Sequence, residues 1–430
     1  MNDSDALRFA VVQPGPRLHY AVPTLLERAG MLRCFYTDIC ASVGPLRILD
    51  QLWPGDLRPP AIERMFGRKL PSDLPRAKVH QIAITCLGNA LARKLGVFDT
   101  TSSTAKLLLK RALAENLGGA NAIYTVIVNE DLEFCRQAKA RGCRIVHEVM
   151  LNPDIGLHLD EEHRRFPEVP CGLPSLAKIE SGRDRDRRKY AIADLILVPS
   201  LSVFHSVVAL GADPSKVAIV PYGIDESWLH PTPRPVPGRV LFVGSVGLLK
   251  GNHYLAAAAR QLASRNPKIE IRVVGPISSD LAHMPLFAGP HYVGQVPRSS
   301  VQKEFLAADV FVLPTLCEGF GLAHLEALAS GVPVITTPNC GSVVRDAVDG
   351  FIVPTRDPAR LAGSIEHIVS DRNLRAKMSK NARARASQFT WARYGARLIN
   401  AISRLQSPPY TSPLVQPELS GVTPTSVKIA

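Results

Sequence analysis

No stretch of this 430-residue chain holds the roughly 18 consecutive apolar residues that a membrane-spanning helix requires. The longest apolar runs, such as Ala122–Val128 and Leu195–Pro199, stop far short. The first residues carry Asp3 and Asp5 without the basic and then apolar order of an export signal, so no signal peptide is expected. Cysteine is sparse and scattered: Cys34, Cys40, Cys86, Cys135, Cys143, Cys171, Cys317 and Cys340 include no Cys-x-x-Cys pair and no Cys/His ligand spacing. That pattern favours reduced thiols in a cytoplasmic protein over disulfides or structural zinc. Acidic residues are also short, with 38 Asp and Glu against 51 Lys and Arg, a net charge of +13. No aromatic–basic interleaving accompanies the charge, so nucleic acid is not an expected partner.

What is present is ordinary for a globular protein, 46% hydrophobic and 21% charged. The length suits two or three domains. The positive charge concentrates between Trp53 and Glu115, where eleven Lys and Arg face five Asp and Glu, and again in Arg183–Lys189. A solvated surface accounts for such charge. Docking against anionic lipid headgroups or an anionic acceptor is the sharper reading.

Along the chain, apolar runs alternate with helical patterns, the mark of an α/β protein with parallel sheets. Leu7–Val12 reads as a strand running into Gln13-Pro14-Gly15-Pro16, then a helix over His19–Ala29 and a strand at Arg33–Ile39. The loop lacks the Gly-x-Gly-x-x-Gly of a dinucleotide fingerprint. Residues 41–117 show no strand signal and read as a basic insertion or lid. Strands resume at Ala122–Val128, Arg144–Met150, Leu195–Pro199 and Val217–Pro221, with a helix at Arg187–Ala193 after an acidic loop. His230–Arg239 has four prolines in ten residues and reads as a semi-stiff linker. Domains are therefore expected at 1–232 and 233–390, followed by a last helix at 391–406. The Pro/Ser/Thr-rich tail, 407–430, is expected to be disordered.

The richest stretch is Ala308–Pro338. Val310–Leu313 reads as a strand buried on both faces, Glu318-Gly319-Phe320-Gly321 as a glycine turn, and Leu322–Ser330 as a helix stopped by Gly331 and Pro333. A glycine turn at a helix start offers free N–H groups and a positive helix end, which suit a phosphate. Glu318 in the turn and Glu326 in the helix are placed to flank a ligand held there. Two Asp-x-Asp matches, Asp3-Ser4-Asp5 and Asp184-Arg185-Asp186, follow no buried strand, and the second lies among basic residues. No metal site is assigned to them.

Five segments together, Glu318–Ile335 (EGFGLAHLEALASGVPVI), Gly244–Gly251 (GSVGLLKG), Val220–Asp225, Ala193–Ser200 and Ala308–Thr315, resemble the retaining GT-B glycosyltransferases of the family-4 type. The likeness is dense over 190–390 and thin before it. It implies two Rossmann-like domains facing across a cleft, the second holding a nucleotide sugar and the first an acceptor, a glycan or lipid-linked precursor. The last helix would cross back to the first domain.

By that resemblance, Glu318 would touch the donor sugar and Glu326 the ribose. Gly319, Phe320, Gly321 and Leu322 would face the sugar or diphosphate. Lys250 would neutralise the diphosphate. Gly244, Ser245, Val296 and Gly15 would complete the donor side, and His147 would approach the sugar. The family pattern Gly-Arg-x4-Lys-Gly has Ser245 where the arginine belongs. His324 is a candidate substitute cation, against the plainer reading of a solvent-facing helix histidine. The implied activity is retaining, metal-independent transfer with no cofactor. A nucleotide-sugar-binding scaffold without turnover and a nucleotide-sugar epimerase are the alternatives.

Overall fold

The computed structural model describes residues 6–53, 58–82, 103–127, 130–341 and 343–406. The tail 407–430, Asp3 and Asp5, and parts of the 41–117 segment lie outside the described residues.

The first lobe contains strands β1 (Phe9–Val12), β2 (Leu32–Thr37), β3 (Val79–Gln81), β4 (Ala122–Thr125), β5 (Arg144–Glu148), β6 (Leu195–Val198) and β7 (Val217–Ile219). Its helices are α1 (Ala21–Arg28), α2 (Pro45–Leu52), α3 (Pro60–Phe66), α4 (Ser103–Ala114), α5 (Leu132–Ala140), α6 (Ile155–Arg165), α7 (Leu176–Ile192) and α8 (Leu201–Ala209). The second lobe has β8 (Arg239–Val243), β9 (Glu270–Val274), β10 (His291–Gly294), β11 (Val310–Leu313), β12 (Val334–Thr336) and β13 (Gly350–Ile352). Between and after these strands come α9 (Asn252–Arg265), α10 (Ser279–Ala282), α11 (Arg298–Leu306), α12 (Leu322–Ala329), α13 (Pro358–Ser370), α14 (Arg372–Ala386) and α15 (Trp391–Ser403).

Both sheets are parallel, ordered β3-β2-β1-β4-β5-β6-β7 and β10-β9-β8-β11-β12-β13. Each is doubly wound, as the strand and helix pattern predicts. Alternate residues of β1 show why: Phe9 and Val11 join one core cluster with Leu26 of α1, while Ala10 and Val12 join another with Leu108 of α4 and Phe134 of α5. A strand buried on both faces must be apolar throughout, and VFVL of β11 is. In each sheet the strand order reverses once, between β1 and β4 and between β8 and β11. Ligands of open α/β sheets bind at such reversals, beyond the carboxyl ends of the strands. The loops leaving β8 and β11 are those that carry Lys250 and Glu318.

Four local expectations are corrected. The 41–117 segment does contain a strand, β3, which extends the sheet beyond β2; three residues, Val-His-Gln, leave no run to detect. The acidic loop before residue 187 is largely helical, since α6 and the long α7 occupy it. Arg183–Lys189 lies inside α7, where Asp184 pairs with Arg188 and Asp186 with Lys189. Finally, Leu18, His19 and Tyr20 are left-handed, with φ of 48°, 52° and 61°, so the helix opens only at Ala21. Three successive left-handed non-glycine residues are strained, and such strain concentrates at functional sites.

The chain crosses between lobes twice, and the crossings are tied together. Ile224 N–H donates to Phe389 O at 2.8 Å and Trp391 N–H to Ile224 O at 3.2 Å. A Cβ on Gly223 would lie 2.9 Å from the Thr390 carbonyl, so only glycine fits. α15 then packs on α1, with Gly395 against Leu25.

Within the second lobe Asp309 is fully buried. It accepts from Arg372 at 2.6 and 2.9 Å and from the Gly238 N–H at 2.8 Å, and lies 3.3 Å from Arg375. Removing one partner of a buried ion network strands the others. Asp309→Ala is therefore expected to cost about 3 kcal/mol, read as a lower urea midpoint with far-UV spectrum intact below the transition.

Candidate nucleotide-sugar site

The site is built where the loops after β8 and β11 are sewn together. Leu316 N–H donates to Leu249 O at 2.8 Å, and Thr315 Oγ1 donates to the same carbonyl at 3.0 Å. Gly251, at φ +69°, backs onto Pro314 so closely that any Cβ would overlap its carbonyl. These contacts bring Lys250 onto Glu318, and Nζ and Oε2 form an ion pair. Both side chains are half-buried. Burial weighs against the charge of Lys250.

The turn after Glu318 is pressed against the first lobe. Ser200 Oγ, at the cap of α8, donates to Gly319 O at 2.7 Å. A Cβ on Gly319 would run into the Met150 carbonyl just past β5. Phe320 is buried edge-on to Tyr222, with ring centroids 5.2 Å apart. Gly321, at φ +69°, starts α12, and Leu322 stands exposed at its first position.

In the middle of α12, Glu326 is buried and pairs with Arg298, the first residue of α11. Arg298 also lies over the Trp228 ring, 5.5 Å from its centroid. Beside this pair is a cavity of about 500 Å³ between the lobes, lined by Glu326, Arg298, Leu322 and Trp228 and by Leu18 and His19 of the strained β1 loop. Burial pushes the Glu326 carboxyl above the usual range, and the exposed Arg298 offsets this only in part.

The remaining candidates scatter. Gly244, at φ +150°, follows β8 and receives no Cβ contact closer than Phe242. Ser245 is exposed and Val296 half-buried, two residues before Arg298. The Gly15 N–H is already used by Asp38 Oδ1 at 2.8 Å. His147 is not among the cavity residues. It is buried at the end of β5, 3.8 Å from Asp131 Oδ2, and burial plus the charge of Lys189 lowers its imidazole to about 3. His324 is the clear correction: it is buried, not solvent-facing, with Nδ1 3.2 Å from Cys340 Sγ. Burial and the nearby Lys250 hold it neutral, at about 3. It supplies no positive charge.

Sequence reasoning missed Arg298, which no spacing marks. It also missed Glu148, next to His147 but on the opposite face of β5. The fully enclosed Glu148 accepts from Arg17 at 2.8 Å, Tyr124 at 2.7 Å and Tyr222 at 2.6 Å. A carboxylate closing a buried strand was the available signal, since a charge there demands partners.

Two doubly wound lobes with a cavity between them and paired acids at one switch point define the GT-B architecture. The Anabaena protein Alr3699/HepE, solved in complex with UDP and glucose, superposes with a TM-score of 0.59 at 14% identity, over 92% of this chain and 99% of that one. The sucrose-phosphate synthase of Thermosynechococcus elongatus gives 0.60 at 18% identity, over 93% and 99%. Residues 232–385 match the family described as glycosyl transferases group 1. By fold and by the sequence of its second lobe, the chain resembles that group. The D-inositol 3-phosphate glycosyltransferase of Geodermatophilus obscurus is 33% identical over 210 residues, 43% of this chain and 46% of the relative. That of Acidothermus cellulolyticus is 31% identical over 234 residues, 47% and 51%. The chain thus spans about half the length of the curated relatives it matches.

The raised carboxyl of Glu326 has a stability consequence of definite sign. A carboxyl whose folded pKa lies above its unfolded one binds its proton more tightly when folded, so it weighs against the fold at neutral pH and ceases to as pH falls through the raised value. Glu326→Gln is expected to melt at or above the wild-type temperature at pH 7. That difference should vanish on acidification through the carboxylate range, as thermal unfolding across pH would show.

Proposed function

We propose that this protein is a retaining glycosyltransferase that moves a sugar from a nucleotide-diphosphate sugar to an acceptor hydroxyl, without a metal. The observation that carries the reading is the placement of two acid–base pairs about one helix, Lys250–Glu318 in the turn before α12 and Arg298–Glu326 in its middle, of which the second lines the interlobe cavity and the first does not. Bond cleavage leaves charge on the departing diphosphate, and a fixed cation stabilises it as it develops. Lys250 is that cation, with Ser245 contributing none. Glu318 accepts from the sugar hydroxyls and Glu326 from the ribose, as ionised carboxylates do. The acceptor oxygen attacks the anomeric carbon on the face the diphosphate leaves, its proton passes to the departing phosphate oxygen, and configuration is retained.

Donor binding exchanges partners rather than exposing charge. The diphosphate takes over Lys250 from Glu318, which turns to the sugar, and the ribose takes over Glu326 from Arg298. Because the Anabaena neighbour was solved with UDP and with UDP-glucose, uridine donors are the first to assay. The acceptor is a glycan or lipid-linked precursor.

Peripheral docking at the inner face of an anionic membrane is supported by α2. Its Ile48, Leu49 and Leu52, and Trp53 beyond it, are all exposed, Leu52 to 76%. They lead directly into the basic stretch that runs from Trp53 to Glu115. No helix among the described residues is long and apolar enough to cross a bilayer. An amphipathic helix lies in the interface instead.

Lys250→Ala is expected to lower kcat by about 10²–10³-fold with a much smaller change in UDP affinity, measured by transfer assay and calorimetry. Equal turnover removes Lys250 from the chemistry. Leu52→Asp is expected to abolish sedimentation with phosphatidylserine vesicles while leaving turnover on a soluble acceptor unchanged. Binding that survives the substitution rejects α2 as the contact.

A further inference from the structure

Glu162, in the last turns of α6, belongs to the first lobe, yet the partners of its carboxylate among the described residues all belong to the second. Tyr254 Oη donates to Oε1 at 2.6 Å, His253 Nε2 lies 2.9 Å from the same oxygen, and Arg356 Nε donates to Oε2 at 2.7 Å. The side chain is wholly buried. Burial alone would raise its carboxyl, but hydrogen bonds from His253, Tyr254 and Arg356 hold it down at about 2. Arg356 also reaches Glu161 at 2.9 Å, and it sits in the left-handed region at φ +64°. Phe166, just past α6, packs edge-on against the His253 ring at 4.7 Å and near Tyr254 at 6.3 Å.

His253 and Tyr254 form the first turn of α9, directly after Lys250 and Gly251. That turn and the Lys250 loop are joined by hydrogen bonds. Gly247 N–H donates to Asn252 Oδ1 at 3.0 Å, Gly251 N–H to Leu248 O at 2.9 Å, and Tyr254 N–H to Gly251 O at 3.0 Å. A first-lobe group that grips His253 and Tyr254 therefore also sets where Lys250 stands.

We infer that Glu162 is a positioning residue: by anchoring the α9 turn to the first lobe, it places the Lys250 ammonium for the departing diphosphate only while the lobes are together. The inference rests on the reading of Lys250 given above. Without Glu162 the nucleotide still finds Glu326 and Arg298, which lie on the second lobe. The cation, however, is no longer held at the distance the reaction needs. Misplacement on the ångström scale is enough to cost about 10²-fold in rate.

The test uses the full chain, UDP, UDP-glucose and Glu162→Gln, which keeps the shape and removes the charge. Expected are a fall in kcat of about 10²-fold, a UDP affinity within a few-fold of wild type, and a larger radius of gyration of the free protein by X-ray scattering. Tyr254→Phe, which removes one hydroxyl from the other side, should shift kcat and scattering in the same direction by less; it decides the matter if Glu162→Gln does not fold. Wild-type turnover or unchanged scattering in the variant that folds overturns the inference. A wild-type protein that neither binds UDP nor turns over UDP-glucose counts against the functional reading instead, and scattering alone then decides whether Glu162 holds the lobes.

Discussion

The contact between Lys250 and Glu318 is the constraint around which the second lobe is arranged. β8 and β11 are neighbours in the sheet although some 70 residues of chain, two strands and three helices intervene. Their loops meet because Gly251 has no side chain to hold Pro314 off. A partly buried ion pair is poor value as a source of stability, since desolvation takes back most of the attraction. Its presence at a switch point is better understood as charge kept ready: each member is held in place by the other until a ligand offers it a better partner.

The same logic recurs in the middle of α12, where Arg298 covers Glu326. The helix between is apolar on its inner face, and His324, which might have added a third charge, is buried against Phe311 and Cys340 and kept neutral. Around α12 positive charge comes from Lys250 in the loop, Arg298 at the rim and the helix start itself, and Arg28 lines the cavity from the first lobe. Lys250 and Arg298 are each held by a carboxylate, and Arg298 also by the Trp228 ring.

Much of this was legible in the chain. Strands such as VFVL and LILV announce themselves by uninterrupted apolar residues, and helix α12 by its bounding glycines. Glu318 and Glu326 stand out because a glycine turn sets their spacing against a helix start. Other features left no trace. β3 is three residues with a histidine at its centre, and its place in the sheet comes from β2 rather than from its own preference. α7 carries so many charges that it has no apolar rhythm, and it buries only Lys189 and Tyr190 near its end. Arg298 and Glu162 act through partners 28 and about 90 positions away, a separation that only the assembled sheets close.

The paired crossings at Ile224 and Thr390 have a further effect. A single tether would leave the lobes free to swivel and slide. Two segments of chain are instead bonded side by side and held close by Gly223. The pairing also shares the load: breaking the backbone in the proline segment after Leu229 would leave the second crossing, and the α15–α1 packing beyond it, to keep both halves in register. The connection between the lobes is thus duplicated.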